Sequence, residues 1–159
     1  MTPGTDTGEL KRKFWNSLAA SPMVFLQLDS DPATAVPMTA QLDKDATSAV
    51  WFFTRKNHPL SALGPAIATF ASKGHDIFAR VSGALSVETS RERLEKQWNS
   101  IIEAWFPGGK DDPELLMLRF DLGNAEIWNS DLGFVDNVKM LLGFDSRADA
   151  KEEHVETAL

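Results

Sequence analysis

The stretch AVWFFT at residues 49–54 decides the fold class of this chain. β-Branched and aromatic side chains are typical of a strand, and the turn-forming run DKD at residues 43–45 precedes them. Six other short runs, bounded by polar, glycine or proline residues, predict strands at residues 23–28, 35–42, 66–70, 77–87, 115–120 and 125–128. Seven short strands separated by turns favour a mainly β fold, an antiparallel sheet or barrel with flanking helices.

Apolar residues at helical spacing predict a helix near each end of the chain. In the first, Leu10, Phe14 and Leu18 share one face, Asp6 is the candidate cap and Pro22 ends the helix. Near the other end, an amphipathic pattern predicts a C-terminal helix through Phe134, Val138, Leu141 and Leu142.

A longer helix is predicted between the fifth and sixth strands. Thr89 and Glu92 form a capping box at its start, and the run PGG at residues 107–109 ends it. Its apolar stripe is expected to pack on the sheet and consists of Leu94, Trp98, Ile101, Ile102 and Trp105.

The composition indicates one acidic globular domain. The chain has 159 residues, of which 43% are hydrophobic and 25% charged, as in ordinary folded domains. We assign residues 1–144 to that domain, including both terminal helices, and residues 145–159 to a charged tail. Lys and Arg number 16 against 23 Asp and Glu, so the net charge is −7 and argues against nucleic acid as a partner.

Several kinds of site are excluded by residue type or spacing. The chain has no cysteine, which excludes disulfides and thiolate chemistry. No apolar run approaches the length of a membrane span and no basic signal region is visible, so we expect a cytoplasmic protein without a membrane partner. The histidines are scattered, and calcium-loop and phosphate-loop motifs fail at required positions, so no metal site is predicted.

Two pairs of segments resemble a known family. VPMTA at residues 36–40, followed by AVWFFTR at residues 49–55, is similar to the paired strands of the pyridoxamine 5′-phosphate oxidase-like superfamily. AWFPGGKDDP at residues 104–113, followed by AEIW at residues 125–128, resembles its general stress protein 26 branch. The resemblance implies an antiparallel split β-barrel of the FMN-binding type, which forms a homodimer and holds FMN at the subunit interface.

The resemblance also implies where FMN would bind. In the family, the Phe-Phe-Thr strand lies along the flavin ring, the turn after it helps to bind the phosphate, and a late tryptophan reaches in from the partner subunit. The expected cofactor-binding residues are Pro37, Met38, Thr39, Trp51, Phe52, Phe53, Thr54, Arg55, Lys56, His58 and Trp128. Val36 and Leu60 stand where family members commonly carry basic residues. The cations left to neutralise a phosphate are Arg55, Lys56 and His58.

Other interpretations stay open at this point. The aromatic side chains of residues 51–53 are also explained by core packing, and Trp105 and Phe106 are interpreted as packing anchors. The leading function is an FMN-binding, stress-related protein acting as a flavin-dependent oxidoreductase on an unknown small substrate. The alternatives are a non-catalytic flavin carrier or sensor and a cofactor-free dimeric scaffold. No residue has the pattern of a catalytic acid, base or nucleophile, so the catalytic residues are unknown.

Overall fold

The computed structural model describes residues 7–130 and 136–142 of the chain. In this part lie the helices α1 (Thr7–Ala20), α2 (Arg91–Gln97) and α3 (Ser100–Trp105), with 3-10 turns at Pro59–Ala62 and Gly109–Asp111. The strands are β1 (Met23–Leu28), β2 (Asp31–Thr39), β3 (Ala49–Arg55), β4 (Gly64–Ala71), β5 (Ile77–Val87), β6 (Leu115–Asn129) and β7 (Asp136–Leu141). None of the described helices has the length and apolar character needed to cross a membrane.

The strands form one antiparallel sheet in the order β2-β1-β4-β5-β6-β3, and β7 pairs with β6. The long strand β6 pairs with β3 through residues 115–121 and with β7 through residues 124–129. Beyond the end of β2, Gln41 and Trp51 exchange two backbone hydrogen bonds of 2.7 and 3.0 Å, which join the β2 side of the sheet to β3. The sheet is therefore a split barrel, and the predicted fold class is confirmed.

The interior of the barrel and one face of α1 form the main core. Strand alternation turns Leu26, Ile77, Leu118 and Ile127 inward, and all four are fully buried. The buried face of α1 packs on the same core through Leu10, Phe14 and Leu18. The predicted N-terminal helix is confirmed, although its candidate cap lies outside the described residues.

The long helix predicted over residues 89–105 is instead two short helices, α2 and α3. Ser90, not Thr89, caps α2 by accepting a hydrogen bond from the backbone N–H three residues on, at 3.1 Å. Asn99 caps α3, because its side-chain oxygen accepts from the backbone N–H groups of Ile101 and Ile102 at 3.0 Å each. A cap inside a periodic run starts a new helix, so spacing counted across it no longer predicts a shared face.

The break changes which residues of the stripe reach the sheet. Ile102 is buried, and Leu94 and Trp98 are half-buried. Ile101 and Trp105 are 74% and 69% exposed, so the prediction that they pack on the sheet is wrong.

Two further predictions are wrong for the last two described strands of the chain, β6 and β7. Residues 115–120 and 125–128 belong to one strand, β6, and are not two strands. The predicted C-terminal helix is wrong, because residues 136–141 form β7 on the part of β6 that extends beyond β3. That part of β6 would otherwise be an open sheet edge, and β7 satisfies its backbone groups. Phe134 and the tail at residues 145–159 lie outside the described residues.

Candidate functional site

A cleft of about 610 Å³ opens beside the join between β2 and β3. Its main walls are the end of β2, the end of β3 with the turn that follows, and α3, and Pro22 and Met23 at the start of β1 also line it. We call this space the β2–β3 cleft. The side chains that matter for its chemistry are Pro37, Met38, Thr39, Phe53, Thr54, Arg55, Asn57, His58, Ile101, Trp105 and Phe106.

Seven of the predicted cofactor-binding residues line this cleft. They are residues 37–39 of β2, together with Phe53, Thr54, Arg55 and His58 of β3 and its following turn. The two strands are consecutive in the sequence but stand at opposite ends of the strand order, and they meet here through the Gln41–Trp51 join. The structure thus brings these residues to one place, while their contact with a cofactor stays a prediction.

Trp51 and Phe52 do not line the cleft, and their contact with a cofactor stays a prediction. Both are fully buried. Phe52 points into the main core. The indole N–H of Trp51 donates to Glu88 at 2.9 Å, and the Arg93 guanidinium lies 4.0 Å from its ring centroid. Core packing explains both side chains.

Lys56 and Trp128 also lie outside the cleft of their own chain. Lys56 is exposed in the turn after β3. Trp128 is half-buried on the outer face of β6, opposite Phe78, and the Arg80 guanidinium lies 5.9 Å from its ring centroid. Its contribution to the site of a partner subunit therefore stays a prediction.

Arg55 links two walls of the cleft. Its Nη2 donates a hydrogen bond to the carbonyl oxygen of Trp105 at 3.0 Å, and its guanidinium lies 5.3 Å from the centroid of the Phe106 ring. These contacts fix the end of α3 against β3. Arg55 therefore has a structural role in addition to any contact with a ligand.

The segment WFPGGKDDP at residues 105–113 turns the chain from the cleft wall back to the sheet. The Asp112 carboxylate accepts hydrogen bonds from the backbone N–H groups of Gly108 and Glu114, each at 2.9 Å. The bond from Glu114, then that from Gly108, holds the pKa of Asp112 below its usual range, and the charge of Arg55 adds to this effect. Gly108 permits the close approach, because a Cβ there would lie 2.9 Å from the Asp112 Cα.

His58 lines the cleft as a neutral group. Its Nδ1 accepts a hydrogen bond from the backbone N–H of Leu60 at 3.1 Å and so caps the 3-10 turn Pro59–Ala62. Burial lowers the pKa of His58 below its ordinary value of 6.5. The imidazole is therefore uncharged at pH 7, with its proton on Nε2. Without a ligand His58 therefore adds no positive charge to the cleft, and its contact with a cofactor stays a prediction.

The sequence prediction missed the α3 side of the cleft. Ile101 and Trp105 belong to an apolar stripe that local spacing assigns to the core. Asn99 is the signal that separates Ile101 and Trp105 from the core, because it is an N-cap residue type in the middle of the stripe.

Within residues 7–130 and 136–142, no three His, Asp or Glu side chains are grouped so that they could hold a metal ion.

Comparison with known proteins identifies the family. A model of the family described as "Pyridoxamine 5'-phosphate oxidase like" matches residues 9–146. This chain belongs to the pyridoxamine 5′-phosphate oxidase-like family. The predicted membership is confirmed. The chain is also 34% identical, over 55 residues, to General stress protein 26 of Bacillus subtilis (strain 168), a match that spans 35% of this chain and 39% of that relative's length.

Solved structures of general stress proteins share the fold of this pyridoxamine 5′-phosphate oxidase-like chain. A general stress family protein of Xanthomonas campestris pv. campestris is 42% identical with a TM-score of 0.72, covering 79% of this chain and 90% of the other. The general stress FMN/FAD binding protein of Xanthomonas citri is 42% identical with a TM-score of 0.73, covering 79% and 92%. A protein of Clostridium acetobutylicum related to general stress protein 26 shares the fold at 16% identity, with a TM-score of 0.68 and coverage of 84% and 95%.

Proposed function

We propose that this pyridoxamine 5′-phosphate oxidase-like protein binds a flavin in the β2–β3 cleft, with FMN as the nucleotide expected from the family. The observation that carries the proposal is the convergence of residues 37–39, Phe53, Thr54, Arg55 and His58 on one cleft of about 610 Å³. The Xanthomonas citri relative, 42% identical over most of both chains, is a general stress FMN/FAD binding protein. Likeness of this extent supports a flavin as the ligand class.

The walls of the cleft suit a planar aromatic ring. Pro37, Met38, Phe53 and Trp105 present apolar and aromatic surface, and the Thr54 hydroxyl adds a polar group that can orient a ligand. Trp105 is 69% exposed, which leaves most of a large apolar side chain in water. A ring lying against it would cover that surface.

A bound flavin supplies hydride and electron transfer, and the chain supplies binding and orientation. The lining residues that the structure describes include no carboxylate, and the only imidazole among them, that of His58, is neutral. No proton-transferring residue is therefore assigned. A flavin-dependent oxidoreductase acting on a small substrate is the catalytic form of the proposal, and a flavin carrier is its non-catalytic form.

The proposal includes a homodimer. Met23, Phe25 and Phe78 are 48%, 54% and 37% exposed on the outer face of the sheet, and Trp128 lies opposite Phe78 on that face. We call these four residues the outer-face patch. Met23 also lines the β2–β3 cleft, so the patch adjoins the site. A second copy of the chain would remove the patch from water, and the family resemblance implies that the partner's Trp128 then reaches the cleft.

Titration of the purified, flavin-free protein tests flavin binding. We expect saturable quenching of FMN fluorescence with one flavin per chain. Trp105→Ala should weaken binding by about 5- to 150-fold, because stacking of a base on an aromatic side chain contributes about 1–3 kcal/mol. Val87→Ala, at an exposed apolar residue outside the cleft, is the matched control and should leave the affinity unchanged. The proposal fails if the wild-type protein binds no flavin.

Reoxidation of the reduced protein separates the two forms of the proposal. The flavin-loaded protein is photoreduced and mixed with a panel of small electron acceptors. Transfer to one of them that is faster than from free reduced flavin supports an oxidoreductase. Rates equal to those of free flavin across the panel support a carrier.

A further inference from the structure

We propose that the β2–β3 cleft recognises a flavin through its ring and ribityl chain and gains little affinity from the phosphate, so that riboflavin and FMN are ligands of similar strength. This inference rests on the proposed flavin function and specifies the ligand class of that site. The residues of one chain that line the cleft suit the ring, and they offer a phosphate dianion a single formal positive charge.

The charges of the lining carry the argument. Among the lining residues that the structure describes, Arg55 is the one with a formal charge at neutral pH. A phosphate monoester carries about −1.5 to −2 charge at pH 7. The other polar side chains that line the cleft are neutral donors and acceptors: Thr39, Gln41, Thr54, Asn57, His58 and Asn99. Within one chain, one guanidinium and neutral donors leave part of that charge without a positive partner.

Arg55 is also engaged already. Its guanidinium donates to the Trp105 carbonyl oxygen at 3.0 Å and lies over the Phe106 ring, and its charge acts on the Asp112 carboxylate. The side chain is exposed, so water screens its interaction with any further anion. An ion pair at such a position increases affinity by a factor of about five at most.

The other two candidate cations do not replace the missing charge. His58 uses Nδ1 to accept from the Leu60 backbone N–H at 3.1 Å, and its imidazole is neutral at pH 7. The Lys56 side chain does not line the cleft. Leu60 is fully buried, so its position offers neither a charge nor access to the ligand.

Parallel titrations with riboflavin and FMN test the proposal. For the wild-type chain, we expect dissociation constants within tenfold of each other and an FMN affinity that changes little between low and high salt. Asn57 is exposed and lines the cleft beside Arg55, so Asn57→Arg adds a cation without disturbing the core. This variant should raise the affinity for FMN relative to that for riboflavin by up to about fivefold. Asn57→Gln, which changes the side chain without adding charge, is the matched control.

The outcomes separate this proposal from the one on which it rests. Wild-type protein that binds FMN more than tenfold more tightly than riboflavin overturns the inference and leaves the flavin function standing. Asn57→Arg protein that still binds both flavins alike overturns the explanation by missing charge. Wild-type protein that binds neither flavin overturns the proposed function itself.

Discussion

Arg55 of β3 donates a hydrogen bond to the carbonyl oxygen of Trp105 at the end of α3, with 3.0 Å between Nη2 and the oxygen. The two residues lie 50 positions apart in the sequence and on two different walls of the β2–β3 cleft. The guanidinium that faces the cleft therefore also fixes the tryptophan that forms its opposite wall.

Replacing Arg55 with Met should loosen this wall while the fold is retained. The variant keeps much of the aliphatic stem and loses the hydrogen bond, which at an exposed position contributes about 0.5–1 kcal/mol to the free energy of unfolding. We expect faster amide hydrogen exchange in residues 105–108. Lys56→Met, at the neighbouring exposed cation, is the control. Equal exchange in the two variants would argue that the Arg55–Trp105 hydrogen bond does not hold this wall in place.

The interruption between α2 and α3 predicts opposite outcomes at adjacent residues. Ile102 is 6% exposed and Ile101 is 74% exposed. Ile102→Ala should lower the free energy of unfolding by about 2–5 kcal/mol, whereas Ile101→Ala should change it by less than about 0.5 kcal/mol. Urea denaturation of the two variants measures the difference. Similar losses would mean that one continuous helix packs its stripe on the sheet.

Acid should destabilise the protein through Asp43. Its carboxylate lies 2.6 Å from Arg93 and 2.8 Å from Lys96, and hydrogen bonds from Lys96 and then Arg93 hold the pKa of Asp43 well below its ordinary value of 3.8. The unfolded chain takes up this proton more readily than the folded one. The stabilisation is therefore complete above the ordinary pKa and is lost as the pH falls through the lower pKa of the folded state.

Thermal unfolding at a series of pH values measures this effect. Asp43→Asn should lower the midpoint at neutral pH and flatten its fall at acid pH. Asp45→Asn, at an exposed neighbour, should keep the wild-type pH dependence. A steep acid transition that survives in Asp43→Asn would place its origin in other carboxylates.

The outer-face patch predicts the state of assembly. Phe25→Asp places a charge on a side chain that is 54% exposed in the single chain. The variant should remain folded and sediment as a monomer, because a buried unpaired charge at a subunit interface is unfavourable. Val87→Asp, at an exposed residue outside the patch, should remain dimeric. A wild-type chain that is monomeric at micromolar concentration would contradict the proposed homodimer.

Gly83 should tolerate no side chain. A Cβ at this position would collide with the Asp121 carbonyl oxygen and approach the Phe120 ring to 2.9 Å. Gly83→Ala should therefore lower the free energy of unfolding by about 1–3 kcal/mol. Gly74→Ala is the matched control, since its nearest neighbour would be 3.6 Å away. Equal thermal midpoints for the two variants would contradict the close approach of β5 and β6.

The strands could be predicted from sequence where one face is buried and short turns bound the run. β1 and β5 have the predicted ends, and β3 extends one residue further. β7 could not be predicted, because the spacing of Val138 and Leu141 also suits a helix. Its strand conformation depends on pairing with β6, which local spacing does not encode.

The candidate site could be predicted from its strands but not from its helix. The family resemblance takes residues 51–54 as a unit, although alternation places Phe52 on the opposite face from Trp51 and Phe53. Trp51 is enclosed by Glu88 and Arg93, which follow it by more than 30 positions, and contacts of that range are invisible in a local pattern. A local pattern also fails to predict the orientation of α3, because the Asn99 cap starts a new helix within the apolar stripe.

The join between β2 and β3 is the shortest strand junction in the described part of the barrel, with one residue pair, Gln41 and Trp51, and two backbone hydrogen bonds. Other neighbouring strands share ladders of four or more residue pairs, so local opening should begin at this join. A ligand in the cleft would touch Met38 on one side of it and Phe53 on the other. Occupancy would then act as a non-covalent crosslink, and resistance to proteolysis at the join would rise with the concentration of free ligand.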